Sequence, residues 1–235
     1  DGVLFALFPR MGGRSPDELR LDEYEQLGRL LARIHNVAAT LHLPNRPRLT
    51  PRTYGHDCLQ TILQTGRLAP GIEHRYTAAV NELVQLATAQ FEEVAQHIVH
   101  ADCHRGNLLR GSGGWFFLDF DDVAIAPAVQ DFWLLLPARL NQCPQEVDAL
   151  LKGYEQFREF DHASLRLIEA LRALRYVRYA AWVASRWADP SFPRAFPHFR
   201  TDNYWEAQLA DIYEQLRLIA DPDHPIGFLH RHRPV

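Results

Sequence analysis

The sequence contains no long uninterrupted apolar run, only three cysteines and a single lysine. No stretch approaches the roughly 20 apolar residues that a membrane-spanning helix requires, and no secretory signal pattern is present. Three cysteines at wide spacing provide neither a disulfide framework nor a zinc site. We therefore expect a protein of the reducing cytoplasm with no membrane partner.

An excess of positive charge is also missing. The chain carries 25 Lys and Arg against 29 Asp and Glu, for a formal net charge of -4. A protein that binds nucleic acid through its phosphates needs a basic face, whereas the arginines here are scattered over predicted helices. With 235 residues, 47% of them hydrophobic, the chain can bury a sizeable core. We expect a globular monomer without a nucleic-acid partner.

Apolar periodicity predicts a mainly helical chain with a small β region, an α+β fold. The run VLFALF at residues 3–8 is typical of a buried strand that ends at Pro9. A helix is predicted to start with Ser15 as N-cap and Pro16 at its first position. The segments HIVHA and LLRGSGGWFFLDF have strand composition, and the second is expected to form a hairpin about its GSGG turn. Further helices are predicted after IAPAVQDFW and over 72–96, 145–160, 163–187 and 203–219.

Two motifs in the β region carry the unusual polar residues: HADCHRGNLL at 100–109 and FLDFDD at 117–122. Asp102 and Asn107 lie on a loop between apolar strands, and Asp119 ends the second strand of the hairpin. The hairpin is expected to bring Asn107 and Asp119 together. Phosphoryl transfer from ATP requires a carboxylate that accepts the proton of the attacking hydroxyl, and oxygen ligands that hold Mg²⁺. The pattern therefore predicts an ATP- and Mg²⁺-dependent phosphotransferase.

These motifs resemble those of aminoglycoside phosphotransferases, choline kinases and homoserine kinases, which share a protein-kinase-like fold. Together with FALFPRMGGR at 5–14 and LDFDDVAIAPAVQDFWLLL at 118–136, they are most similar to the stress response kinase A family. The resemblance extends over nearly the whole chain. It implies a cytoplasmic bacterial kinase that acts on Ser and Thr residues of proteins.

The resemblance also implies roles for individual residues. Asp102 would be the catalytic base, Asn107 a metal ligand, and Asp119 a metal ligand that also belongs to the catalytic set. Asp131 would hold the catalytic loop by accepting hydrogen bonds from its backbone, and His100 would pack beneath the loop. The backbone of a hinge strand would bind the adenine of ATP through Phe5, Ala6, Leu7 and Phe8.

Two parts of such a kinase are not found in this sequence: a glycine-rich loop over the phosphates and a lysine on an N-lobe strand. The only lysine, Lys152, follows both motifs. We therefore expect residues 1–13 to be a hinge strand and connection from a largely absent N-lobe. Residues 14–235 would form a helical C-lobe, with the catalytic loop at 100–107 and the metal-binding segment at 117–122. Such a C-lobe alone would be inactive.

Several alternatives stay open at this point. The acceptor is either a Ser or Thr side chain of a protein or a small hydroxyl-bearing molecule, and a non-catalytic pseudokinase-like binding domain is a third interpretation. Asp121 or Asp122 either assists a second metal or is a solvated loop acid or helix N-cap, with Asp121 the preferred second ligand. His104 either contacts substrate or phosphate, or packs or caps locally. The arginines of helix 163–187 form either a solvated face or a positive surface for an acidic substrate. The aromatic residues between 182 and 205 line either the core or an acceptor pocket.

Overall fold

The computed structural model describes residues 7, 9–10, 12–92 and 94–221. Within these residues the chain forms eight α-helices and four short strands. The helices are α1 (Leu21–Ala38), α2 (Asp57–Leu63), α3 (Pro70–Phe91), α4 (Val129–Trp133), α5 (Pro144–Tyr154), α6 (Ile168–Ser185), α7 (Ser191–Ala195) and α8 (Asp202–Ala220). The strands are β1 (Gln96–Val99), β2 (Leu108–Gly111), β3 (Gly114–Phe117) and β4 (Ala124–Pro127). This architecture confirms the predicted α+β class with a mainly helical body.

The strands form two separate antiparallel pairs. β1 pairs with β4, and β2 pairs with β3 in the register that places Leu108 opposite Phe117. The β2–β3 hairpin turns at Ser112 and Gly113, and Gly114 has a φ of 112° that only glycine adopts without strain. The predicted hairpin about the GSGG turn is therefore confirmed, whereas the prediction that IAPAVQDFW leads into a helix missed the strand β4 at its start.

The prediction that the first helix starts at Ser15 is wrong, since the helix begins at Leu21. The preceding segment is held to the hairpin instead: the N–H and C=O of Arg14 both bond to the backbone of Arg110, at 3.0 and 2.9 Å. The Glu23 carboxylate caps the N-terminus of α1 by accepting a hydrogen bond from the Arg20 N–H at 2.9 Å. These tertiary contacts outweigh the local capping preference of Ser15.

A single hydrophobic core runs through the helices and under both strand pairs. α1 and α5 pack so closely that a Cβ on Gly28 would lie 2.1 Å from the Leu150 carbonyl oxygen. On the other side of the molecule, α3 and α8 meet where the rings of Tyr76 and Trp205 lie edge to face, 5.5 Å apart. The core thereby supports the loops that leave β1 and β3. Among the described residues, no helix combines the length and the apolar character needed to cross a bilayer.

Candidate active site

The loop that follows β1 is held by a buried carboxylate. Asp131, on α4, is completely buried. Its Oδ2 accepts the backbone N–H of His100 and its Oδ1 accepts that of Ala101, both at 2.7 Å. The predicted role of Asp131 as a brace of the loop is confirmed by these two bonds. Because both N–H groups are buried, the carboxylate supplies the partners that they need.

Further hydrogen bonds fix the loop from three sides. His35 on α1 contacts Asp131 Oδ2 through Nε2 at 3.1 Å. Gln130 donates its Nε2–H to the carbonyl of Ala101 at 2.9 Å. His100 accepts the Asp102 N–H at Nδ1 (3.3 Å) and contacts the Leu118 carbonyl through Nε2 (2.8 Å). His100 is buried and links the loop to the end of the hairpin, as expected for a packing role.

Asp102 projects from this loop into a cavity, with both of its carboxylate oxygens engaged. Oδ1 accepts a hydrogen bond from Arg175 Nη2 at 2.7 Å, and Oδ2 accepts one from Asn107 Nδ2 at 3.2 Å. The side chain is about one-fifth exposed. A carboxylate oxygen offers more than one lone pair, so the oriented group can still accept a hydroxyl hydrogen from the cavity.

The hairpin brings the two predicted metal ligands to the same edge of the molecule. The Leu118 N–H donates to the Asn107 carbonyl at 2.8 Å, which extends the β2–β3 ladder by one step. Asp119 follows directly with an exposed side chain and a left-handed backbone, φ 63° and ψ 67°. The expectation that the hairpin brings the segments of Asn107 and Asp119 together is confirmed.

The donor chemistry of these two residues fits a hard divalent cation. Asn107 turns its Nδ2 toward Asp102, donating to the Asp102 carbonyl at 2.9 Å, so its amide oxygen faces away. That oxygen has no hydrogen-bond donor in the described part of the chain. Magnesium takes one or two protein oxygens and completes its octahedron with water and phosphate. No group of three or more His, Cys, Asp or Glu side chains poised for a metal occurs among the described residues.

The cavity beside Asp102 has a volume of about 340 Å³ and is partly open to solvent. One wall is the face of α6 that carries Arg175, Arg178, Tyr179 and Trp182. The rest of the lining includes Ala101, Asp102 and His104 of the loop after β1, and Tyr54. The sequence alone does not distinguish a solvated face from a positive surface for an acidic substrate at these arginines. Arg175 and Arg178 in fact line the cavity.

The remaining candidates have mixed positions. His104 lines the cavity, with Nε2 at 3.4 Å from Asp102 Oδ2, and also accepts the Gly106 N–H. Trp182 lines the cavity, whereas Trp205 is completely buried in the core. Burial raises the pKa of the Cys103 thiol, so this cysteine is a small core residue.

The predicted hinge strand lies almost entirely outside the described residues. Phe5, Ala6 and Phe8 belong to the part that is not described, and Leu7 is 92% exposed with no strand assigned to it. The adenine-binding role of these four residues stays a prediction, as does the division of the chain at residue 13.

Comparison with known proteins gives consistent matches. The model of the phosphotransferase enzyme family matches residues 1–168. Stress response kinase A of Escherichia coli (strain K12) is 36% identical over 94% of this chain and 67% of that protein. Serine/threonine protein kinase RdoA of Salmonella typhimurium (strain LT2) is 33% identical over the same shares. The chain thus spans about two thirds of the length of these curated relatives.

A solved structure shares the fold at much lower identity. The amicoumacin kinase hAmiN, in complex with AMP-PNP, Ca²⁺ and Ami, superposes with a TM-score of 0.62 at 19% identity. The match covers 89% of this chain and 62% of that one. With the α+β architecture, the braced loop and the family match over most of its length, this chain belongs to the phosphotransferase enzyme family.

Proposed function

We propose that the protein containing this chain transfers the γ-phosphoryl group of ATP to a Ser or Thr hydroxyl of a protein. The observation that carries the proposal is Asp102: a carboxylate oriented by Arg175 and Asn107 at the side of an open cavity. The curated relatives, which are named as kinases, support the reaction class. Since the chain spans two thirds of those relatives, the proposal concerns the whole protein.

In the proposed reaction, Asp102 accepts the hydrogen of the acceptor hydroxyl as the hydroxyl oxygen attacks the γ-phosphorus. The bond from that phosphorus to the β–γ bridging oxygen breaks, so the products are a phosphoester and ADP. Positioning and proton acceptance by one carboxylate contribute roughly 10²–10⁴-fold to such a rate. The bonds to Arg175 and Asn107 restrict the rotation of Asp102, which keeps the carboxylate in a productive orientation.

Asn107 and Asp119 are proposed to hold Mg²⁺, through the amide oxygen and the carboxylate. A bound magnesium ion would neutralise charge on the phosphates. The adenine is proposed to contact the backbone of Phe5, Ala6, Leu7 and Phe8, as the resemblance of FALF to a hinge strand implies.

The test is phosphate transfer from labelled ATP with Mg²⁺ to a generic protein acceptor and to a panel of amino alcohols. It is run on this chain and on a version extended to the length of its relatives. Asp102→Asn is expected to leave nucleotide binding nearly intact and to remove most turnover, whereas Asp119→Ala is expected to abolish the Mg²⁺ dependence of nucleotide binding.

The exposed Glu82 on α3 provides a matched control, since Glu82→Gln removes one acid that does not line the cavity. Turnover that survives Asp102→Asn would overturn the assignment of the base. Transfer to the amino alcohols alone would show a small-molecule kinase. If neither the chain nor its extended version transferred phosphate, and if Asp102→Asn and Asp119→Ala left the binding of a protein partner unchanged, the result would favour a non-catalytic binding domain.

A further inference from the structure

One face of α6 combines two guanidinium groups with two aromatic rings beside Asp102. Arg175, Arg178, Tyr179 and Trp182 are spaced by three and four residues, so they share one side of the helix. All four line the cavity into which Asp102 projects. The α6 wall, which contacts the proposed base through Arg175, therefore carries two guanidinium groups and is partly apolar.

The two arginines differ in their partners. Arg175 donates to Asp102 Oδ1 at 2.7 Å and is neutralised by that ion pair. Arg178 is only partly exposed, and its Cζ lies 5.5 Å from the centre of the Tyr54 ring. It forms no ion pair with a carboxylate in the part of the chain that the structure describes. The guanidinium of Arg178 therefore has N–H donors available for a bound ligand.

Charges of both signs act on Tyr54. Burial raises the pKa of the Tyr54 hydroxyl and the Asp122 carboxylate adds to this rise, whereas the nearby Arg178 cation acts in the opposite direction by favouring the phenolate. The carboxylates that line the cavity are Asp102, which is paired, and Asp122, which is exposed. A cationic acceptor would have Asp122 as its one available carboxylate and would face Arg178, whose charge no ion pair among the described residues neutralises.

We propose that this cavity is the acceptor subsite and that Arg178 binds an anionic group, a carboxylate or a phosphate, carried by the acceptor near its reacting hydroxyl. The inference rests on the proposed role of Asp102 as the base, because that role places the acceptor in this cavity. For a protein acceptor, the recognised sequence is a Ser or Thr beside an acidic residue. Tyr179 and Trp182 provide apolar surface for the intervening chain atoms.

Arginine suits this role because its planar guanidinium can form two parallel hydrogen bonds to one carboxylate or phosphate. The partial burial of Arg178 strengthens such a pair relative to one on the open surface. Binding should weaken as salt is added, since part of the attraction acts through solvent.

The experiment measures binding to the 235-residue chain by titration calorimetry at low salt. The probes are a serine peptide flanked by glutamates, the same peptide flanked by lysines, and glycerate as a small hydroxy acid. The variants are Arg178→Gln and Arg178→Glu. Arg217→Gln is the matched control, because Arg217 is exposed on α8 and also loses one positive charge.

The glutamate peptide is expected to bind at least about tenfold more tightly than the lysine peptide. The substitution Arg178→Gln should weaken the glutamate peptide by roughly tenfold, as expected for the loss of one charged hydrogen bond. Arg178→Glu should reverse the preference, and Arg217→Gln should leave it unchanged. Arg178-dependent binding of glycerate at the strength of the peptide would identify a small anionic acceptor rather than a protein.

Equal binding of both peptides, or an Arg178→Gln variant that behaves like the control, would overturn the inference. Phosphate transfer by the extended protein, measured with the same peptides, separates this inference from the proposed function. Equal transfer to both peptides would refute the anionic subsite and leave the kinase proposal standing. Arg178-dependent binding without transfer in any form would refute the kinase proposal and keep the anion site.

Discussion

Replacement of Asp131 by asparagine tests whether one buried carboxylate holds the loop that follows β1. Asp131 accepts hydrogen bonds from the backbone N–H groups of His100 and Ala101, and it contacts His35 Nε2 at 3.1 Å. An asparagine of the same shape has one acceptor oxygen and one NH₂ group. One buried N–H of the loop would then face another donor.

The expected cost follows from these contacts. A buried donor without a partner costs about 1–3 kcal/mol, and hydrogen bonds to a charged group contribute more than neutral ones. Because the substitution leaves both a backbone N–H and the new NH₂ group poorly paired, we expect Asp131→Asn to lower the free energy of unfolding by about 2–4 kcal/mol. That is a large part of a typical total of about 5–15 kcal/mol.

Urea denaturation followed by circular dichroism measures this change. The control is Glu82→Gln, an exposed substitution for which a change within about 0.5 kcal/mol is expected. Amide hydrogen exchange should also become faster at His100 and Ala101 than in the rest of the core. An Asp131→Asn protein that unfolds at the urea concentration of the wild type would refute the reasoning.

Three further predictions concern packing, pH and thiol reactivity. Gly28→Ala should lower the unfolding free energy by about 3 kcal/mol, because its Cβ would lie 2.1 Å from a backbone carbonyl oxygen. At Gly71, where an added Cβ would meet no atom within 4 Å, the same change should alter the unfolding free energy by less than about 1 kcal/mol. Equal urea midpoints for the two variants would contradict this. Burial, helped by His35, lowers the pKa of His97 to about 4. Between about pH 6.5 and 4, His97 is therefore protonated in the unfolded state but not in the folded state. As the pH is lowered through this range, the free energy of unfolding should decrease by up to about 3 kcal/mol. Urea midpoints across this range should show a shallower slope in His97→Gln, and an unchanged slope would count against the assignment. The three cysteines are buried and burial raises the pKa of each thiol, so a thiol reagent at neutral pH should label none of them before unfolding; rapid labelling of the native protein would be inconsistent with this packing.

The local parts of the site were predictable because their signals are local. The hairpin follows from two apolar runs around a glycine-rich turn, and the turn fixes the register that brings Asn107 beside Leu118. Once this register is set, Asp119 has to emerge at the same edge. Spacing alone thus located the loop residue and the strand-end residue of the candidate metal site.

Arg175 could not be assigned from sequence, because its contact with Asp102 joins residues 73 positions apart. An arginine on an amphipathic helix has the same pattern whether it points to solvent or into a cavity. The signal that was available is the combination of Arg175, Arg178 and Trp182 on one helical face, since a purely solvated face does not require the tryptophan. The start of α1 was missed for a related reason: the backbone pairing of Arg14 with Arg110 is invisible to capping rules.

Backbone strain is concentrated at the candidate site. In the described part of the chain, two non-glycine residues have positive φ: Ala101 at 69° and Asp119 at 63°. Each such conformation costs of order 1–2 kcal/mol and persists only where the surrounding contacts determine it. Ala101 is held on both sides, by Asp131 at its N–H and by Gln130 at its carbonyl.

These bonds determine where Asp102 lies. With the backbone of Ala101 fixed at its N–H and its carbonyl, the next residue has little freedom, and the Asp102 side chain projects into the cavity toward Arg175. A glycine at position 101 would adopt the same φ at lower cost, but it would also allow other conformations of the loop. Ala101 with its strained backbone, the buried Asp131 carboxylate and the paired Asp102 carboxylate therefore form one rigid arrangement, which is maintained despite the energetic cost of the strain.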